Sequence, residues 1–484
     1  MTEQPNPNDQ LAVAKLTTKD AARPDIVTKI SASGKMTARQ RIAELLDPGS
    51  EVEFGSIAAA SSDGDWIPEA GGVDFIGTVD GQPTIASSTD YTDHGGGYGA
   101  GRLGRLFAVA FERRWPVVLF VDGGGSRAQH PRSGLGHIET SGQIGRFSFL
   151  DGLPELSGWV PTVAIVSGPA FAGHASLAGF SDFLISTPGS SIGMGGPPMV
   201  EAALGQRLTP NELAGSEMHE LSGGIDLLVD SEQSAIDAAR EYLGFYGNRD
   251  TPSADPVKLD LNNLGCDYDV RLVIDSIIDR DSFFELRPNF APNLITALTR
   301  INGAPVGLMA NRTSVLDGSI DEKAAIKIGR FVEQCNTYEY PLLSLIDTPG
   351  CTTQPRKKKK TDTLASASSD LPGLTRWHTR VLLAHQQRTV PLTSVQLGQN
   401  GGLAGTLMTG VSSTRGVPLM KLAWPSVTIG QRDGFSAVVD HNAFDDVIEP
   451  NETPNRVRRL QSLLKGSGDT RPPREQKKHW IDTW

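Results

Sequence analysis

The chain has 484 residues, a net charge of −11 and 38% hydrophobic residues, an ordinary globular balance that leaves room for roughly two to four domains. So acidic a chain has no general affinity for nucleic acid or an anionic membrane surface. No run approaches the ~18 apolar residues of a membrane span, so no membrane contact is expected.

The cysteines, Cys266, Cys335 and Cys351, are spaced for neither a zinc site nor a disulfide framework. Free thiols in a reducing compartment, and no metal, are expected. The polar start MTEQPNPNDQ lacks an apolar signal region, which points to the cytoplasm.

Residues 1–35 are polar and without sustained periodicity, so a flexible tail is expected. Structure starts at residue 36. Thr37 can cap a helix with Gln40 as its capping-box partner. Ile42, Leu45 and Leu46 give that helix an apolar face, and Pro48-Gly49 stops it. A second helical pattern opens at Tyr268-Asp269-Val270-Arg271. Before it lies a Pro- and Asp-bearing stretch, residues 248–265, the best linker candidate. This divides the chain into a lobe at 36–250, a linker at 251–265 and a lobe at 266–484.

The two lobes repeat one another. Val79-Asp80-Gly81-Gln82-Pro83 reads as a reverse turn between strands, and so does Ile301-Asn302-Gly303-Ala304-Pro305. WPVVLFVDGGG (115–125) and YPLLSLIDTPG (340–350) are apolar runs ending in Asp and Gly, as buried parallel strands do. Residues 160–182 and 389–410 each read as strand, glycine-rich turn and small-residue helix. Ser191-Ile192-Gly193 and Thr428-Ile429-Gly430 follow. Asp122 and Asp347 stand 225 residues apart, and Gly173 and Gly402 stand 229 apart, so the register holds. A duplicated α/β unit is the simplest account.

Chemistry centres on the two turns. In PAFAGHAS the chain bends through Ala172-Gly173 and a helix begins near His174; Gly401-Gly402-Leu403 stands at the same place in the second lobe. The first amides of a helix have no intrahelical acceptor, and the helix dipole adds to their pull on an anion. Each turn can therefore serve as an oxyanion hole for an enolate formed beside a thioester, each donor contributing about 3–4 kcal/mol; each can equally be a tight turn chosen for packing.

Arg102, Arg105, Arg113, Arg114, Arg127 and Arg132 make residues 91–135 locally basic. This patch can receive coenzyme A phosphates, or be an exposed helix face. The run Lys357–Lys360 reads as a solvated loop or a dock for an acidic partner. Gly99–Gly104 matches GxGxxG but follows no clean strand. Gly189–Gly193 matches GxSxG but does not run from strand into helix, which argues against a hydrolase elbow.

These segments resemble the carboxyltransferase family of biotin-dependent acyl-CoA carboxylases, which includes the β subunits of propionyl- and methylcrotonyl-CoA carboxylase. The phrases VDGGGSR, SGPAFAG, SIGMGGPPMVE, YDVRLVID, FFELRPNFAPNLITALTRINGAPVGLMAN and IDTPG carry the likeness between residues 37 and about 450. SIGMGGPPMVE and FAGH are similar to the subgroup fused to biotin domains.

The resemblance implies two crotonase-like lobes, each a superhelix of ββα units, and homo-oligomers. These are commonly hexamers with a dimer as the active unit. It implies biotin carried on a partner, a biotin carboxylase and carrier subunit, and a coenzyme A thioester as substrate. The amides of Gly173 and His174 would hold the enolate oxygen, with Ala172, Gly195, Gly196, Arg102, Arg105 and Arg127 on the acyl-CoA side. Gly402 and Leu403 would hold the biotin ureido oxygen, with Gln399, Asn400 and Gly401 beside them. In that scheme the biotin nitrogen takes the α-proton, and no side-chain base is needed.

The chain departs from the family where Arg-Lys often precedes the second turn; here Gly398-Gln399 stands. Two alternatives stay open from sequence: a biotin-independent acyl-CoA decarboxylase or hydrolase, and a non-catalytic subunit paired with an active one.

Overall fold

Two dipeptides, Asp80-Gly81 and Asn302-Gly303, set the frame. All four residues have positive φ, 49° and 77° in the first pair and 55° and 81° in the second. That is the signature of the two-residue hairpin turn whose twist matches its strands. The computed structural model describes residues 6–17, 19–54, 72–92, 95–96, 100–124, 149–246, 251–265, 268–351, 373–410, 418–429, 432–433, 444–466 and 479–483. The chain divides into two compact units, Met1–Gly244 and Phe245–Asp482.

In the first unit, helices α1 (Pro7–Thr17), α2 (Pro24–Ala32) and α3 (Ala38–Leu45) precede strands β1 (Val52–Phe54), β2 (Gly72–Val79) and β3 (Gln82–Thr89). Then come α4 (Ala100–Arg113), β4 (Val117–Phe120), α5 (Phe149–Leu156), β5 (Thr162–Val166) and β6 (Pro169–Phe171). After these come α6 (Gly173–Phe180), β7 (Phe183–Ser186), β8 (Ser191–Gly193), α7 (Pro197–Leu204), α8 (Pro210–Ala214), α9 (Ser216–Ser222), β9 (Leu227–Leu228) and α10 (Glu232–Gly244). The main sheet runs β1-β2-β3-β4-β5-β7-β9, and β6 pairs with β8 apart from it. The β2–β3 hairpin is antiparallel; β3 onward is parallel.

The second unit repeats this plan. It holds α11 (Val270–Ile277), β10 (Phe284–Leu286), β11 (Leu294–Ile301), β12 (Ala304–Asn311), α12 (Glu322–Thr337), β13 (Leu342–Thr348) and α13 (Leu374–Gln387). It continues with β14 (Leu392–Asn400), α14 (Gly402–Thr409), β15 (Pro418–Ala423), β16 (Thr428–Ile429), β17 (Arg432–Asp433), β18 (Asp446–Val447) and α15 (Thr453–Gly466). Its sheet runs β10-β11-β12-β13-β14-β15-β18, with β16 on the end of β14. Strands β4, β5 and β13 are buried along their whole length, as expected of parallel strands covered on both faces. The Thr37–Gln40 capping box forms as the sequence indicates.

One clamp occurs in both units. Asp47, just past α3, accepts from the amides of Asp80 (3.0 Å) and Gly81 (2.7 Å) in the first hairpin turn. Asp279, just past α11, accepts from Asn302 (3.0 Å) and Gly303 (2.6 Å) in the second. An arginine from the last helix of each unit completes the clamp. Arg240 pairs with Asp47 and donates to Leu45 O; Arg458 pairs with Asp279 and donates to Ile277 O. Helix end, hairpin and final helix are thus tied by one charge-assisted network per unit.

Two sequence expectations are corrected. Structure does not start at residue 36, because α1 and α2 lie before it. Helix α2 fully buries no residue, although Ile26, Val27 and Ile30 fall at helical spacing and form its partly buried side. Its surroundings are held by charge: Arg23 pairs with Asp90 at 2.8 Å, Lys19 with Glu53, and Thr37 donates to Asp20 at 2.6 Å. Residues 251–265 are not a free linker but a strap on the second unit. Thr251 N donates to Gly303 O (3.1 Å), Val257 N to Asp275 O (3.0 Å), and Leu261 is 1% exposed in that unit's core. The units divide earlier, at Gly244.

Removing either aspartate tests the clamp. Partial burial raises the Asp47 carboxyl, but the amides of Gly81 and Asp80, the Thr78 hydroxyl and Arg240 outweigh it and bring it to about 2. Its contribution is complete above the unfolded value near 4 and is lost as the pH falls toward that figure. Asp279 is 3% exposed, so Asp279→Ala strands more buried donors. Urea unfolding at neutral pH should show a loss of about 3 kcal/mol for Asp279→Ala and about 1 kcal/mol for Asp47→Ala. Negligible losses in both would remove the clamp from the account.

Candidate active site

At the end of each unit's central strand stands an aspartate that holds the glycine turn. Asp122 Oδ1 accepts from Ser167 N (2.9 Å) and Gly168 N (2.8 Å), between β5 and β6. Asp347 Oδ1 accepts from Gln399 N at 2.7 Å, late in β14. A methyl group on Gly398 would come within 2.4 Å of the Asp347 carboxylate, so backbone and acid meet directly.

Matching backbone bonds then lead into the turns: Phe171 N donates to Gly123 O, and Gly401 N to Thr348 O, both at 2.9 Å. The next residue in each is left-handed, Ala172 at φ 54° and Gly402 at φ 53°. Gly402 therefore lies opposite Ala172 and Leu403 opposite Gly173, one residue on from the glycine landmarks. Alanine in that conformation costs of order 1–3 kcal/mol, and such strain gathers at functional sites. Ala172 is held there by its own amide on Gly193 O (3.0 Å) and by its carbonyl, which accepts Ser176 N (3.0 Å).

The first turn is tightly supported. His174, 6% exposed, donates through Nε2 to Gly96 O at 2.9 Å and packs on Gly123. Burial pushes its imidazole below the usual range; the Gly96 and Phe171 backbone and Asp122 offset this only in part. The ring is neutral near pH 7 and acts as a structural donor. Gly196 caps α7 and lies against Phe171, and Gly193, three residues before it, takes the Ala172 amide, so the Gly195-Gly196 segment borders the turn.

The arginines of the basic stretch separate. Arg105 is exposed on α4 with its guanidinium 5.1 Å from the Phe54 ring centroid, and Arg114 covers Trp159 at 4.4 Å. Arg102 lies one turn before Arg105 on α4. Arg127, Arg132 and the run Lys357–Lys360 lie outside the described residues, as does Cys266. Ser191 of the GxSxG match lies inside β8 and is 1% exposed, so it is no nucleophile elbow.

The second turn is more open. Leu403 is 50% exposed, and nothing stands within 4 Å of a methyl group built on Gly402. Gly401, in contrast, admits no side chain: a Cβ there would sit 1.9 Å from Pro349 O. Gln399, at the position of the family's Arg-Lys, is exposed and gives its backbone to β16 and Asp347. Gln399, Gly402 and Leu403 are thus exposed, with Asn400 and Gly401 partly buried between them.

The two aspartates differ in their partners. Asp122 is bound by Arg41 at 2.7 Å, and Arg41 also binds Glu232. Burial raises the Asp122 carboxyl, but Arg41 and the two amides outweigh it and hold it below the usual carboxylate range. Asp347 has a phenol instead, Tyr268 at 3.2 Å. There burial wins over Gln399 N and Tyr268, and the Asp347 carboxyl is raised. Arg41, Glu232, Gly96 and Tyr268 were not marked by sequence reasoning, because none shares a local motif with the turn it supports.

A duplicated sheet-and-helix unit, with a strand–glycine turn–helix at the same place in each copy, defines an enzyme of crotonase-like architecture. Residues 29–430 match the model of the carboxyl transferase domain, and the chain belongs to that family; its reaction class is acyl-CoA carboxyl transfer. The methylmalonyl-CoA carboxyltransferase 12S subunit of Propionibacterium freudenreichii subsp. shermanii is 29% identical over 513 aligned residues, covering 94% of this chain and 92% of that one. The crystal structure of transcarboxylase 12S, described as a hexamer with hydrolysed methylmalonyl-coenzyme A bound, is similar with a TM-score of 0.81 and 25% identity over 99% of both chains. A single-chain, multi-domain long-chain acyl-CoA carboxylase gives 0.82 and 30% over 95% of this chain, which spans 50% of that protein's length. Among the described residues no helix is long and apolar enough to cross a membrane.

The contrast between the aspartates gives a stability test. Asp122 stabilises fully above about pH 4 and loses its effect as the pH falls through its lowered folded value. Asp347 is shifted the other way, so the fold loses stability as the pH rises through the ordinary carboxylate range. At pH 7, Asp122→Asn should cost about 3 kcal/mol or more by breaking a buried pair, and Asp347→Asn less than about 1 kcal/mol. Equal costs in urea unfolding would show that the two anchors do not differ as described.

Proposed function

We propose that this chain moves a carboxyl group between biotin on a partner protein and the α-carbon of an acyl-CoA. The observation that carries the reading is the pair of left-handed residues, Ala172 and Gly402, each opening an eight-residue helix beside an aspartate-anchored strand.

The first turn would bind the thioester. The amides of Gly173 and His174 hold the carbonyl oxygen and stabilise the negative charge that grows there as the α-proton leaves. Ala172, Gly195 and Gly196 shape the wall around it, and Arg102, Arg105 and Arg127 meet the coenzyme A phosphates. The second turn would face biotin. Gly402 and Leu403 direct their amides at the ureido oxygen, and Gln399, Asn400 and Gly401 form the approach. The open space at Gly402 and the exposure of Leu403 suit such a group. When bound, biotin supplies the carboxyl group and the nitrogen that takes the α-proton. The chain's own task is to orient both partners and to hold charge on two oxygens. A homo-oligomer, with the hexamer of transcarboxylase 12S as the pattern, and a biotin carboxylase and carrier protein complete the proposed assembly.

The test uses purified protein, a biotin carrier bearing a radiolabelled carboxyl group, and acyl-CoAs from acetyl to long-chain. Label should pass to at least one acyl-CoA and to none without protein. A folded protein that labels no acyl-CoA, or that turns over a malonyl-type thioester without biotin, would overturn the proposal.

A further inference from the structure

Cys351 is not a generic surface thiol. It follows β13 directly, and its backbone is pinned by Ile320, which bridges to it in parallel and donates its amide to Gly350 O at 3.0 Å. Its Sγ stands 3.8 Å from Nδ1 and 3.7 Å from Nε2 of His378 on α13. His378 is 7% exposed, whereas Cys351 is half-buried and within reach of solvent. Cys335 offers the opposite case. It is fully buried, its sulfur would lie 2.3 Å from a methyl group on Gly307, and burial pushes its thiol far up.

The near-equal distances place Sγ over the imidazole face; turning the His378 ring about its Cβ–Cγ bond aims one nitrogen at the thiol, which can then give up its proton, and the resulting thiolate is the reactive form. Position adds a consequence. A Cβ on Gly350 would lie 3.6 Å from Gly401 O, and a Cβ on Gly401 would lie 2.6 Å from Gly350 N. One residue on, Cys351 therefore stands beside the second glycine turn.

We propose that Cys351, activated by His378, is a thiol-modification site that takes a low-molecular-weight disulfide and thereby blocks the second turn. The Cys351 thiolate attacks one sulfur of the disulfide, whose S–S bond breaks. The leaving thiolate takes the proton held on His378. Cys351 ends oxidised in a mixed disulfide, and the departing half ends as a reduced thiol. The modification itself does not depend on what the turn binds; only the effect on carboxyl transfer rests on the reading above.

The test treats the folded full-length chain with oxidised glutathione and follows adducts by intact mass and peptide mapping. Cys351 should react at least ~10-fold faster in the folded chain than in urea, and Cys335 only after unfolding. His378→Asn should bring Cys351 down to the unfolded rate, and Cys351→Ser should give no adduct there. Should His378→Asn not fold, the folded-to-unfolded ratio of the unsubstituted chain decides. A folded rate at or below the unfolded one, or a rate indifferent to His378→Asn in a folded variant, overturns the activation. In the second arm the adduct should suppress carboxyl transfer, reversibly with dithiothreitol, and leave acyl-CoA binding unchanged. Full transfer by the modified protein overturns the block at the second turn.

Discussion

A carboxylate at the end of the central strand is the constraint on which each unit's site depends. Asp122 and Asp347 each reach forward to the amides that open the next turn. Without such an acceptor those amides would be buried donors lacking a partner, at about 1–3 kcal/mol each. With it, the chain is directed into a left-handed residue and then a helix. The geometry of each turn is thus a product of the scaffold, present before any ligand arrives, as the proposed oxyanion role requires.

Duplication explains the plan, and the differences between copies fit the proposed division of labour. The hairpin clamps, Asp47 with Arg240 and Asp279 with Arg458, repeat nearly atom for atom. The anchors at the turns do not. Asp122 lies in an ionic triad with Arg41 and Glu232, while Asp347 meets only a phenol among its described side-chain donors. The first turn is closed around His174; in the second, Gln399, Gly402 and Leu403 are exposed, with Asn400 and Gly401 partly buried between them. Under the proposed function, the closed turn suits a small thioester carbonyl and the more open one a group that arrives on another protein and leaves again.

Much of this was legible in the sequence where the signal is local. Asp80-Gly81 and Asn302-Gly303 indicate two hairpins, Thr37 and Gln40 a cap, and two apolar runs that end in Asp and then Gly the central strands. Long-range charge was not legible. Arg240 and Arg458 sit in ordinary helical sequence, and nothing nearby tells that they return to the start of their unit. The strap at 251–265 is not legible because backbone bonds hold it more than an apolar period does, and helix α2 offers only one short apolar pattern, Ile26, Val27 and Ile30, behind a polar lead. The register of the turns lies one residue from that of the matching glycines, since identical letters need not be equivalent positions. The equivalent feature is a backbone angle, which Ala172 adopts as Gly402 does.

The central claim is that the turns are separable, one for the thioester and one for biotin. The most direct measurement is equilibrium binding of an acyl-CoA and of a biotinylated carrier to two variants. Gly123→Ala would drive a methyl group to 2.2 Å from the His174 ring in the first unit, and Gly401→Ala one to 1.9 Å from Pro349 O in the second. The account predicts that Gly123→Ala weakens acyl-CoA binding and spares the carrier, and that Gly401→Ala does the reverse. Loss of both ligands by each folded variant, or of the opposite ligand, would contradict it.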